Sequence, residues 1–224
     1  MIDDYMIDFS DIDYSDILVM LDNGHGSNTP GKCSVDKKLK EYKYCRETVA
    51  GIAAKLKVLG IPYCLVTPEE YDVPLATRVN RINKEYARCK AKGIKCLMIS
   101  VHNNAAGNGK VWMTGTGWEC WTTVGQNNSD KLATCLYEAA KEEKGMNGKS
   151  VILRTDKKDG DPDKEKNWYI IKNANCVSVL TENFFMDNKK ECEWLLSDIG
   201  RTTVINIHVN GILKYIKQLK SKAA

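Results

Sequence analysis

Histidine is scarce in this chain, with three in 224 residues, at positions 25, 102 and 208. The nine cysteines include no C-x-x-C pair and none has a close histidine partner, which argues against a zinc knuckle. Several sit inside apolar runs, so Cys96, Cys135 and Cys176 read as small buried hydrophobes of a chain made in a reducing compartment. No apolar stretch approaches the about 20 residues that span a bilayer; even CLMISV, at 96–101, is soon broken. The opening MIDDYMIDFSDIDYSD has neither the positive nor the apolar region of a secretory signal, so no cleavable leader is expected. Charge of one sign is nowhere gathered into a block. The 33 Lys and Arg are scattered among 29 Asp and Glu, for a net +4, which gives no reason to expect a nucleic-acid partner while leaving polyanionic polymers open.

What is present is a regular alternation. Continuous Val, Ile and Leu runs at 17–21, 96–101 and 177–180, with weaker ones at 62–67 and 117–123, read as strands. Between them lie helical patterns that stop at Gly60 and Gly93, one that starts at a Ser/Asp cap near 129, and a last one over about 197–219. Strand alternating with helix predicts an α/β fold: a single domain of three layers with a mostly parallel central sheet flanked by helices. Residues 1–16 form an acidic N-terminal segment, and 17–224 are expected to be the folded unit. The charged stretch 141–167 reads as an exposed, solvated excursion carrying one short strand at its centre.

Sheets of this kind are buried on both faces and collect ligands at the carboxyl ends of their strands. The three best runs end there in DNGHGS, HNNAAG and TENFF. The first could belong to a phosphate cradle, because Gly26 to Cys33 nearly fits G-x-x-x-x-G-K-[ST]. That pattern needs a hydroxyl after its lysine to meet magnesium, and Cys33 offers a thiol to a cation that prefers oxygen. The alternative is a metal site. His25 and His102 fall at equivalent places past two parallel strands. Either alone would read as a structural histidine; as a pair they point to metal.

Glu41, Cys45, Thr48, Ile52 and Leu56 follow the spacing of one helix face, so Glu41 opens an inward stripe. It is either a first-turn glutamate stabilised by the helix dipole or a carboxylate that needs a cation. Two His and one Glu make a zinc set of the catalytic kind, with a position left open for water. A separate carboxylate would then act as base, and Glu182, emerging from a buried strand beside aromatic residues, is the candidate, unless a neighbouring Lys or amide satisfies it.

With these contexts the chain resembles the zinc-dependent N-acetylmuramoyl-L-alanine amidases of the amidase 3 family over about Ile17 to Lys217. The resemblance rests on DNGHG, on the glutamate opening LKEYKYCRETV, on SVHNN and on SVLTENFFMDN, with PLATRVNRIN and GWECWTT beside them. It implies a phosphorylase/hydrolase-like fold, Zn²⁺ held by His25, Glu41 and His102, and Glu182 as the catalytic carboxylate. The implied substrate is peptidoglycan, cut between N-acetylmuramic acid and L-alanine. Asn104 and Arg78 are candidate substrate contacts, Arg78 equally a structural ion-pair partner. His208 reads as flanking structure. The rival readings are a non-catalytic peptidoglycan binder, which would not need Glu182, and a zinc carboxypeptidase, whose H-x-x-E pair is absent because Asn28 follows His25 by three. Without a leader, the protein is expected to be made in the cytoplasm and to reach the wall after lysis or holin-mediated release, as an endolysin does.

Overall fold

The computed structural model describes residues 13–221. Six strands form one sheet: β1 (Ile17–Asn23), β2 (Tyr63–Leu65), β3 (Lys95–Asn104), β4 (Glu119–Thr122), β5 (Lys164–Glu165) and β6 (Val177–Phe185). Their order is β2-β1-β3-β6-β4-β5, parallel throughout except where β4 runs against β6. Six α-helices accompany them: α1 (Glu41–Val58), α2 (Leu75–Lys90), α3 (Asn128–Glu142), α4 (Tyr169–Asn173), α5 (Lys189–Leu195) and α6 (Asp198–Ser221).

Period-2 alternation assigns each face of the sheet its own core. Val19, Leu21, Leu97, Ile99 and Val179 pack with α1, α3 and α6. Leu18, Met20, Met98 and Leu180 pack with Val79 and Ile82 of α2 and with Ile170 and Ile171 of α4. Both faces are apolar, which is why the strands read as unbroken runs. The expected three-layer α/β fold is the one observed.

Some details differ from the sequence reading. The cap of α3 is Asn127, whose side chain accepts from Ser129 N while Asp130 reaches back to Asn127 N, so the anticipated Ser and Asp lie in the first turn. The charged stretch is not simply solvated: its strand, β5, lies near its end, Val151 and Asp163 are buried, and Leu153 bridges to Trp118. Of the acidic N-terminal segment, residues 1–12 lie outside the described residues; Tyr14 packs into the core and Asp16 meets Lys220. Among the described residues no helix is long and apolar enough to cross a membrane.

Candidate functional site

β1 ends its apolar run with two buried polar residues that bond to neighbouring elements, although Asn23 Oδ1 is left without a partner. Asp22 accepts from Ser100 Oγ at 2.7 Å and from Arg78 Nη1 at 3.0 Å, while Asn23 Nδ2 donates to the Thr67 carbonyl at 2.6 Å. The chain then turns at His25, whose φ of 58° is left-handed, a conformation that costs a side-chain-bearing residue roughly 1–2 kcal/mol. Glycines on either side permit it. A Cβ on Gly24 would stand 2.6 Å from His102 Nδ1, and one on Gly26 would stand 1.9 Å from the Asp72 amide nitrogen.

Glu41 is the first residue of α1 and is only 1% exposed. Its Oε1 accepts from the Asn103 amide at 3.1 Å and faces His102 Nδ1 at 3.1 Å; its Oε2 lies 3.3 Å from His25 Nε2 and has no hydrogen-bond partner. The two imidazoles meet edge to face, centroids 5.0 Å apart. One ligand atom from each of His25, Glu41 and His102 lies within 4.8 Å of the other two. Burial pushes the Glu41 carboxyl upward, but the nearby imidazoles of His102 and His25 outweigh it and hold the group well below the usual carboxylate range. Burial lowers His102, and Glu41 more than reverses this, so the ring is held above its ordinary value.

β3 and β6 bring the fourth residue alongside. His102 pairs in register with Glu182, and beyond them β6 carries an extra residue before Asn104 meets Phe185. The bulge leaves Phe184 at a φ of 62°, its ring packed on Trp194 at 4.8 Å, and Asn183 Nδ2 bonds the His102 carbonyl at 2.8 Å. Glu182 Oε2 is buried without a partner. Burial, reinforced by the nearby carboxylates Glu41 and Glu119 and opposed by His102, raises Glu182 to about 8.

His25, Glu41, His102, Glu182 and Asn104 therefore line one cleft, with a cavity of about 270 Å³ that also meets Lys32, Glu119, Trp121 and Trp168. A second cavity, about 410 Å³, opens on the other side of the histidine pair toward Asp72, Val73, Pro74 and Leu75. A third, about 720 Å³, lies at the opposite end of the strands around Ile17, Lys95 and Leu97, and no histidine or carboxylate lines it.

Of the two roles open to Arg78, its surroundings match the ion-pair partner. It is 2% exposed and all five of its donors are taken: Nε by the Val73 carbonyl at 2.8 Å, Nη1 by Asp22 and the Asn23 carbonyl, Nη2 by Asp72 at 2.9 Å and the His25 carbonyl at 3.4 Å. It is the structural ion-pair partner, bracing the turn that carries His25. His208 lies apart on α6, fully buried, with Nε2 2.9 Å from Thr181 Oγ1 and Nδ1 2.7 Å from the Val204 carbonyl. The phosphate-cradle reading fails structurally, because α1 begins at Glu41, nine residues after Lys32, leaving no helix N-terminus at the glycine loop.

Sequence reasoning missed Glu119. It is 2% exposed and gathers four donors: Asn104 Nδ2 at 2.8 Å, Trp121 Nε1 at 3.1 Å, Arg154 Nε at 2.6 Å and Lys164 Nζ at 2.9 Å. The signal was available in GWECWTT, where a carboxylate interrupts an otherwise apolar strand.

Known proteins resemble this chain in sequence and in fold. Residues 19–214 match the Amidase_3 family, described as N-acetylmuramoyl-L-alanine amidase. The chain is 31% identical over 213 residues to the endolysin of Bacillus phage SPP1, covering 92% of this chain and 68% of that one. It is 24% identical over 210 residues to the N-acetylmuramoyl-L-alanine amidase CwlM of Bacillus licheniformis, covering 93% and 72%. The crystal structure of an N-acetylmuramoyl-L-alanine amidase from Clostridium difficile 630 shares the fold, with a TM-score of 0.73, 22% identity and coverage of 90% and 97%. A match across nearly the whole folded unit, in sequence and in architecture, places the chain in the N-acetylmuramoyl-L-alanine amidase family of the amidase 3 type.

Proposed function

We propose that this protein is a zinc-dependent N-acetylmuramoyl-L-alanine amidase that hydrolyses the amide between N-acetylmuramic acid and L-alanine in peptidoglycan, acting on the cell wall in the manner of an endolysin. One observation carries the metal: the buried Glu41 carboxylate, with an oxygen that no donor satisfies, set between two imidazole nitrogens. That arrangement leaves charge and lone pairs for a cation to satisfy, and the N, N, O donor set is the one zinc takes in hydrolytic sites. Bound by His25, Glu41 and His102, zinc would polarise the scissile carbonyl and make water acidic enough to lose a proton near neutral pH.

The chain's own residues supply the remaining chemistry. Glu182 receives the proton of the attacking water and passes it to the departing nitrogen of L-alanine. Its buried, partnerless Oε2 and its raised affinity for protons suit a group that holds one between the two transfers. Asn104, oriented by Glu119, and the Trp121 and Trp168 rings line the side of the cleft where sugar or peptide would rest. Arg78 acts indirectly, by fixing the turn at His25.

Glu182→Gln and Glu41→Gln test the division of labour. The Glu182 variant is expected to keep one zinc per chain and to lose 10²–10⁴ in rate, whereas the Glu41 variant should lose both metal and activity. Full activity in the Glu182 variant would refute the assignment.

A further inference from the structure

A second cluster of metal-binding character lies where the charged loop returns to the sheet. Thr155 to Asp163 leads into β5, and the alternating carboxylates of Asp159-Gly160-Asp161-Pro162-Asp163 face the first turn of α3, which contributes Asp130. One oxygen from each of Asp130, Asp161 and Asp163 lies within 4.8 Å of the others. Asp130 is 5% exposed and Asp163 1% exposed, and the Oδ1 of each is buried with no hydrogen-bond partner.

The neighbouring donors are already placed, and they leave these two oxygens unmet. Asp163 Oδ2 accepts from Thr122 Oγ1 at 2.5 Å, Asp130 Oδ2 from the Asn127 amide, and Asp161 from Gln126 Nε2 at 2.8 Å and from the Asp163 amide at 3.3 Å. Of the basic residues around the loop, Arg154 and Lys164 pair with Glu119 and Lys158 with Asp156, and Lys157 is exposed. Burial, together with Asp161 and Asp130, pushes Asp163 up to about 8, and burial raises Asp130 as well. Three carboxylates this close, two of them out of water, repel one another unless they share protons or a cation.

We propose that Asp130, Asp161 and Asp163 form a calcium site, distinct from the His25 cluster, that clamps the loop before β5 onto the start of α3. The donors are oxygen only, without His or Cys, which suits a hard cation rather than zinc. An irregular loop that leaves room for carbonyls and water suits calcium better than magnesium, which demands near-ideal octahedral geometry and sheds water reluctantly. The site bears on the catalytic cleft. Asp163 directly precedes Lys164, and Lys164 reaches Glu119, which in turn holds Asn104 and Trp121. Calcium would thus fix the rim of the cleft as well as the fold.

The test uses the whole protein, stripped of calcium by passage over chelating resin and reloaded with stoichiometric zinc. It is titrated with calcium chloride by calorimetry, with Tm followed in parallel and magnesium chloride as the comparison. The expected result is one calcium per chain, a Tm rise of about 5 °C at saturation and a response to magnesium at least tenfold weaker. Asp163→Asn should lose the calcium response while its calcium-free Tm equals or exceeds that of the parent, because the repulsion is relieved. Asp161→Asn, at a less buried position, decides the matter if the first variant does not fold. Absence of heat and of any Tm change up to about 10 mM calcium, roughly tenfold above the Kd of the weakest extracellular calcium sites, or an unchanged calcium response in the variants, would overturn the proposal, and an equal response to magnesium would overturn the choice of calcium.

Discussion

Replacing Arg78 by lysine separates a bracing role from a substrate-binding one. Lysine keeps the positive charge that Asp22 needs, since Asp22 is fully buried and lies 3.0 Å from Nη1, but a single ammonium cannot reproduce the guanidinium fork. The carbonyls of Val73 and Asn23 lose the Arg78 donor, while the His25 carbonyl gives up only a bond at 3.4 Å and keeps Arg46 Nη1 at 3.0 Å. A buried acceptor left unmet costs about 1–3 kcal/mol, and the bond at 3.4 Å is weak, so the total is roughly 3 kcal/mol. In a chain of this size that lowers Tm by about 6–12 °C. Chemical denaturation gives the loss directly, and kinetics on soluble muramyl peptides give its functional side. The structure predicts a clear loss of stability and a fall in kcat as the His25 turn loosens. Unchanged stability with KM raised tenfold would refute this reasoning and return Arg78 to the substrate.

Gly24→Ala should disturb the metal centre without touching a ligand: its Cβ would meet the His102 ring at 2.6 Å, so the ring must rotate away from Glu41. Zinc affinity is expected to fall at least tenfold by competition with a chromogenic chelator, with a stability cost of about 1–3 kcal/mol. His208 gives a pH signature. Burial depresses it to about 4, the Val204 carbonyl only partly offsetting this. The unfolded chain, titrating near 6.5, then binds the extra proton between those values. Its contribution is complete above about pH 6.5 and is lost as pH falls toward 4, by roughly 3 kcal/mol at most. Denaturation of the parent and of His208→Gln across that window should show the parent losing more; parallel curves would contradict the assignment.

The strands and the histidine pair were legible because a doubly covered parallel sheet writes its strands as unbroken apolar runs, and reactive residues placed just past their ends stand out. Glu41 was legible for a related reason, as a carboxylate opening an otherwise apolar helix stripe. Residues whose partners lie far along the chain were harder to read. β1 continues through Asp22 and Asn23, and β6 through Glu182 and Asn183, because Ser100 and Arg78 meet Asp22, Thr67 takes the Asn23 Nδ2 donor, and Asn183 bonds the His102 carbonyl. Neither continuation is visible in a local pattern. The charged stretch misled for the same reason. Arg154 and Lys164 look solvated until Glu119, 35 and 45 residues earlier, is seen to lie buried beneath them. Composition records that a residue is charged and is silent on whether its partner is inside. The short helices α4 and α5, of 5 and 7 residues, hold too few turns for a helical period to emerge.

The measurement that bears most directly on the enzyme is mass spectrometry of the soluble products released when the purified protein digests peptidoglycan sacculi, before chelation, after it, and after zinc is restored. Stem peptides with a free L-alanine amino terminus, lost with the chelator and regained with zinc, are the predicted result. Muramyl peptides left intact in every sample, or release that persists without metal, would contradict it.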